Sequence, residues 1–334
     1  MGGKRVVILG GGVGGVVAAN RLRKALGKEH QVTVIDQQRT HSFAPSYLWL
    51  MVGLRKPDGI SRDLGRLERK GIEFKQAAVQ RIDPERSIVV TDTGEEPYDY
   101  LVMALGARLA PETLPGFAEG ARSFYTLEEA IKLRDALPQF QGGKVVLLVS
   151  SMPFKCPAAP YEAALLLDAY FRKRRIRDKV DFHIFTPEPQ PMPVAGPTVG
   201  AQVRSLLEQR KIQYHTGAKA TSIAADKHAI SFEKGDSVKY DFLVGVPPHA
   251  CPEAMKASGL TNGGPWVPVD PRTLKTKHPR VWAIGDVTAI PLPNKMMLPK
   301  AGVFAHAEAE VVARSIAHEI TGRGHAEEFA GHGG

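Results

Sequence analysis

Gly10-Gly11-Gly12-Val13-Gly14-Gly15 stands between an apolar run, Arg5-Val6-Val7-Ile8-Leu9, and a stretch with helical spacing of apolar residues, Val16 to Leu26. A second apolar run, Gln31 to Asp36, follows. The pattern predicts strand, tight turn, helix, strand, the unit from which parallel α/β sheets are built. Gly10 permits the sharp bend, Gly12 lets the backbone approach an anion, and Gly15 lets helix and strand pack closely. Val13 and Gly14 carry amides near the helix N-terminus, where orphan N–H groups attract negative charge. Asp36 falls 21 residues after Gly15, where a carboxylate reaches ribose hydroxyls, and Gln37 follows it at the strand end. Glycines alone would say little; glycines between a strand and a helix, with an acid at the next strand's end, predict a dinucleotide site.

Further along, Lys144-Val145-Val146-Leu147-Leu148-Val149 reads as a second buried parallel strand, Glu162 to Arg175 as a helix, and Val180 to Phe185 as the next strand. Between strand and helix lies Ser150-Ser151-Met152-Pro153-Phe154-Lys155-Cys156-Pro157. A nucleotide-binding turn would carry glycines there; this one carries prolines, which lack N–H donors, and a cysteine. Residues 72–102 read as short antiparallel strands with a hairpin at Asp92-Thr93-Gly94. Pro111 to Gly120 reads as a linker, and Thr186 to Pro197 as an extended Pro-rich connection. The fold expected is α/β, with two Rossmann-like dinucleotide-binding domains, the second inserted in the first. Its parts are 1–110, the first part of an FAD-binding domain; 111–250, a second domain whose NAD site is lost; and 251–334, the remainder of the first.

With 334 residues, 43% hydrophobic and 24% charged, the chain has ample core for two domains. It opens directly into a strand with no leader, so a cytoplasmic protein is expected, able to sit peripherally on the inner face of a membrane. Net charge is +9 and the densest basic run is Arg172-Lys173-Arg174-Arg175-Ile176-Arg177. Such a run reads first as a solvated helix end, where cations favour the dipole, and second as attraction to an anionic membrane surface. No aromatic-interleaved basic motif points to nucleic acid. Two cysteines form no disulfide scaffold and no metal-ligand spacing occurs, so no metal is expected.

Two segments favour FAD over NAD at the first site. Tyr98 to Gly106 resembles the second FAD-contact stretch of two-dinucleotide flavoproteins, with Ala104, Leu105 and Gly106 at its end; Leu105 stands where Thr is usual. Val281-Trp282-Ala283-Ile284-Gly285-Asp286 resembles the third, whose Asp meets the ribityl chain beside a glycine. With FAPS at 43–46, KCPAAPYE at 155–162, VPPHA at 246–250 and LPKAGVFAHAEAEVVA at 298–313, the chain resembles the sulfide:quinone oxidoreductase and flavocytochrome c sulfide dehydrogenase family over nearly its whole length. The resemblance implies a glutathione-reductase-like flavoprotein architecture and non-covalent FAD, since no cysteine stands near His41-Ser42-Phe43 to link it. It implies oxidation of sulfide or persulfide, with a quinone or a cytochrome as acceptor, and leaves a homo-oligomer open.

In that family a cysteine at the place of Cys156 holds sulfur beside the flavin with a second cysteine. The residue chemistry agrees: a thiol at a helix start beside Lys155 favours thiolate. Glu162, six residues on, reads as an acid/base or as a first-turn helix acid. Lys300-Ala301-Gly302 opens the last helix and would offer N–H groups, and the Lys300 cation, to a reduced flavin. Catalytic roles are thus expected for Cys156, Glu162 and Lys300. Cofactor contacts are expected from Gly10, Gly12, Val13, Gly14, Gly15, Asp36, Gln37, Ala104, Leu105, Gly106, Gly285, Asp286, Lys300, Ala301 and Gly302. Cys251 matches no redox position and reads as a bystander. Glu327 to Gly334 resembles the lead-in to the family's second cysteine, which these 334 residues do not contain. The competing readings are the flavin subunit of a cytochrome-linked sulfide dehydrogenase, a type II NADH dehydrogenase, and a truncated, non-catalytic flavin-binding module.

Overall fold

The computed structural model describes residues 2–332, so the last two glycines of the C-terminal lead-in lie outside the described residues. The principal elements, in chain order, are β1 (Arg5–Leu9), α1 (Val13–Ala25), β2 (Gln31–Asp36), α2 (Tyr47–Met51), β3 (Glu73–Gln76), β4 (Tyr100–Met103) and α3 (Leu127–Ala136). They continue with β5 (Gly143–Val149), α4 (Ala159–Lys173), β6 (Val180–Phe185), α5 (Pro197–Gln209), β7 (Ile212–His215), β8 (Phe242–Val246), β9 (Val281–Ala283) and α6 (Gly302–Thr321). They form two compact units. One comprises residues up to His41, Arg62–Arg108 and residues from Ala250 on; the other comprises Ser42–Ser61 and Leu109–His249.

The first unit is built on a five-stranded parallel sheet in the order β9-β4-β1-β2-β3. Side chains alternate across a strand. Val6 and Ile8 therefore face Ala18, Ala19 and Leu22 of α1 and Ala309, Val312 and Ile316 of α6. Val7 and Leu9 face Met255, Trp266 and Val267 on the other side. Burial on both faces is why these strands read as unbroken apolar runs. The antiparallel reading of 72–102 holds only for its middle, because alternation along a strand does not reveal which way its neighbour runs. Glu73–Gln76 and Tyr100–Met103 belong to the parallel sheet, and only the segment Val79–Pro97 between them is antiparallel, turning at Asp92 and Thr93 as expected.

The second unit repeats the plan with a four-stranded parallel sheet, β7-β6-β5-β8. Val145, Leu147 and Val149 pack against Ala163, Ala164, Leu167 and Phe171 of α4, and Val146 and Leu148 against Leu114, Phe117 and Ile230. Ser42–Ser61 belongs here, not with the first domain as the 1–110 boundary supposed. Leu48, Leu50 and Met51 of α2 join the core under α3 and α4, a tertiary contact that local sequence does not announce. The basic run is a solvated helix end only in part: Arg172, Lys173 and Arg175 are exposed, while Arg177 is buried. Arg172 and Arg177, with Arg210, bond Asp168, which is fully buried, and Arg174 bonds the carbonyls of Leu137 and Phe140. A buried carboxylate needs such partners, and they hold its pKa below the usual range despite desolvation.

Candidate functional site

In the first unit the carboxyl ends of β1, β4 and β9 and the starts of α1 and α6 carry every residue expected to meet the cofactor except Asp36 and Gln37, which end β2. The glycines are fixed by space. Gly10 has φ +102°, and a Cβ there would lie 2.3 Å from the Ala104 carbonyl oxygen. A Cβ on Gly15 would lie 1.8 Å from the Gly10 carbonyl oxygen, so the close helix–strand approach admits no side chain. Gly12 is different: a Cβ there would meet nothing within 4 Å. Its place at the N-cap faces open space, where a ligand would come.

Helix α1 starts at Val13, three residues before the expected Val16, so Val13, Gly14 and Gly15 form its first turn. Their amides have no acceptor within the helix. Among the described residues neither α1 nor α6 has a side-chain N-cap or an acid in its first turn. Both ends are left to an outside anion. Asp36 is half-buried; one oxygen accepts from Gly11 N–H at 2.6 Å and the other from Gln38 N–H at 2.7 Å. His41 Nδ1 donates to the Gly11 carbonyl at 2.8 Å, which steadies the same turn. Gln37 is exposed beside it. Ala104 bonds the Leu9 carbonyl, and Gly106 and Gly285 take the left-handed conformation at φ +69° and +73°. These residues fit a flavin dinucleotide: α1 for the pyrophosphate, Asp36 for ribose hydroxyls, and the Gly285–Asp286 turn with Ala301 and Gly302 for the flavin end.

Lys300 is turned inward. Its Nζ donates to the carbonyls of Asp286 at 2.6 Å and Thr288 at 3.3 Å, and sits 3.4 Å from the centre of the Trp266 ring. Burial draws its pKa down to about 8. The lysine therefore ties the Gly285–Thr288 turn, and the amides of Ala301 and Gly302 are the groups presented. Glu308, which sequence reading missed, is 1% exposed, accepts from Gly285 N–H, and is pushed up to about 7 by burial. Cys251 is buried among apolar neighbours of this unit, and burial lifts its thiol to about 11. That suits a bystander.

The second unit places Cys156 ahead of its helix rather than in it. Helix α4 begins at Ala159 with Ala158 as N-cap, and Cys156 sits in the left-handed region at φ +57°. Its carbonyl accepts from Ala159 N–H at 2.9 Å. For a non-glycine residue this conformation costs about 1–2 kcal/mol, and such strain gathers at functional turns. Tyr125 Oη donates to the Lys155 carbonyl at 2.8 Å and anchors the loop just before the thiol. Glu162 lies in the first turn of α4 and accepts from the indole N–H of half-exposed Trp49 at 3.1 Å. Neither Tyr125 nor Trp49 had been picked out; only the tertiary fold brings them here.

Glu188 lies three residues past the end of β6, whereas Asp36 is the last residue of β2. Glu188 is 1% exposed and accepts from Tyr161 Oη, on the first turn of α4, and from Thr186 Oγ1 at 3.0 Å. Tyr214 Oη stands 3.2 Å from Tyr161 Oη. Burial raises the pKa of all three ionisable groups. By register Thr186 takes the place of Asp36, and Glu188 beyond it is buried on Tyr161 and Thr186.

Residues 4–309 match the family model described as pyridine nucleotide-disulphide oxidoreductase. The chain belongs to the pyridine nucleotide-disulphide oxidoreductase family. Within the family it is 30% identical to the sulfide-quinone reductase of Aquifex aeolicus, over 95% of this chain and 77% of that protein. The solved structure of the Aquifex sulfide:quinone oxidoreductase superposes with a TM-score of 0.87. The mitochondrial sulfide:quinone oxidoreductase of Mus musculus is 28% identical over 86% of the chain and 66% of its own length. An alternative NAD(P)H-ubiquinone oxidoreductase of Arabidopsis thaliana is also 28% identical, over 96% of the chain and 68% of its own length. The chain thus spans about two thirds to three quarters of these relatives. Among the described residues no helix is long and apolar enough to cross a membrane, and no cluster of three or more His, Cys, Asp or Glu could hold a metal ion.

Proposed function

We propose that this protein is an oxidoreductase holding non-covalent FAD in its first unit, which takes electrons from sulfide or a persulfide and gives them to a quinone. A bound flavin supplies the two-electron acceptor that passes the pair onward. Gly10, Gly12, Val13, Gly14, Gly15 and Asp36 hold its dinucleotide end, and Ala104 to Gly106, Gly285, Asp286, Ala301 and Gly302 its flavin end. Cys156 is the sulfur-handling thiol. As thiolate it joins HS⁻ to give a persulfide, releasing one proton and two electrons. Glu162 takes up the proton or holds the loop through Trp49. The protein acts at the inner membrane face, where a quinone is met.

The observation that carries this reading is the strained Cys156 turn standing where a second glycine turn would be, in a unit whose Glu188 is buried on Tyr161 and Thr186. The same observation sets the reading apart from NAD(P)H oxidation. Cys156→Ser tests it. The variant should keep FAD, because the first unit is untouched. It should lose flavin reduction by sulfide, because a hydroxyl is hardly ionised at neutral pH and forms no persulfide. A variant reduced by sulfide as fast as the parent refutes the role of the thiol.

A further inference from the structure

Strands β5 and β8 are parallel neighbours, with Val149 beside Val246 and Ser150 N–H bonded to the Val246 carbonyl at 3.2 Å. Their carboxyl ends lead into the Cys156 loop and into Pro247-Pro248-His249. In open parallel sheets reacting groups gather at such strand ends. Tyr125 touches both. Its hydroxyl holds the Lys155 carbonyl, and the His249 ring stands edge-on to its ring at 5.2 Å.

The hydrogen bonding of His249 fixes its chemistry. Nδ1 lies 2.8 Å from the Pro247 carbonyl oxygen. A carbonyl only accepts, so Nδ1 carries the hydrogen and, in the neutral ring, Nε2 carries the lone pair. Nε2 is shielded from solvent. The arrangement is that of a base oriented by a third group.

We infer that His249 is the base that ionises Cys156. The step is a proton transfer alone: the Cys156 S–H bond breaks, an N–H bond forms at Nε2, and a thiolate faces an imidazolium, with no oxidant needed. Ionisable groups near the loop include Lys155 and Glu162 on its own segment and Tyr125; Ser42–Ser61, whose Trp49 bonds Glu162, adds Tyr47 and Arg55. None is altered in the variants below. The inference rests on the role proposed for Cys156, but its test reads the thiol and not the flavin.

The measurement is the rate of iodoacetamide alkylation at Cys156 against pH, on the purified protein, with peptide mapping to separate buried Cys251 and Cys156→Ser as background. His249→Asn keeps an N–H donor for the Pro247 carbonyl and removes Nε2. His249→Gln keeps a polar group near Nε2 but cannot take a proton. Alkylation at pH 7 should slow roughly ten-fold in both, as when a thiol pKa rises by about one unit. The rate profile should move to higher pH, with the fold checked by circular dichroism. If the Asn variant does not fold, the Gln variant decides. A folded variant with the parent's profile overturns the inference, while sulfide reduction of the parent and its loss in Cys156→Ser would still stand.

Discussion

Asp36 ends the second strand of its unit and Glu188 lies just past the second strand of the other, and their surroundings set opposite fates. Asp36 keeps solvent access and bonds only backbone amides, so Asp36→Ala should leave the fold intact and weaken FAD retention about ten-fold or more, read by equilibrium dialysis. Glu188 is committed to Tyr161 and Thr186. Glu308 shows how burial turns a carboxyl into a pH sensor. Its folded-state pKa of about 7 lies above the ordinary carboxyl value of 4.5. The folded state therefore holds this proton more tightly than the unfolded state. That contribution is complete below the unfolded pKa and is lost as pH rises through the folded one. Glu308→Gln keeps an acceptor for Gly285 N–H and has nothing to ionise. Relative to the parent it should gain stability between about pH 5 and pH 8, on the order of 1–3 kcal/mol. Urea unfolding at both pH values checks this; a constant difference between the proteins would show that Glu308 does not titrate in that window.

At the scale of elements, the turn from β1 to α1 is the most tightly specified piece of the chain. Gly15→Val puts a side chain against the Gly10 carbonyl, and the clash is with backbone, which has nowhere to move. The expected cost is more than about 3 kcal/mol, seen as a large fall in the urea midpoint and loss of bound flavin. Gly12→Ala meets open space and should fold normally while binding FAD more weakly, because its methyl enters the ligand's room. Parent-like flavin content in Gly12→Ala would refute the pyrophosphate assignment. This turn was legible in sequence because its glycines, strand and helix are consecutive. So were β5, α4 and β6, and the loss of glycines between them. Long-range placement was not legible. Nothing local shows that Leu48 and Met51 pack under α4, that Trp49 reaches Glu162, or that Tyr125 and His249 meet at the Lys155–Cys156 turn. The inward turn of Lys300 was hidden likewise, since the Trp266 ring and the Asp286 and Thr288 carbonyls that hold it come from separate segments.

At the scale of the whole molecule, two units of one plan have diverged: one keeps an open turn with uncapped helix starts, and the other replaces glycines with Pro153, Cys156 and Pro157 and buries Glu188. The purified protein should be yellow and release FAD into the supernatant after acid precipitation, with none left attached. NADH and NADPH should bleach it at no useful rate, because Pro153 and Pro157 remove N–H donors and Thr186, not an acid, stands in the place of Asp36. Together these features have electrons entering from sulfur and not from a nicotinamide. Anaerobic rapid mixing of the FAD-loaded protein with sulfide, and separately with NADH, followed at the flavin absorbance band, tests it most directly. Bleaching by sulfide, colour restored by a soluble quinone, and no comparable change with NADH are expected. Fast bleaching by NADH with none by sulfide would contradict the entry of electrons from sulfur.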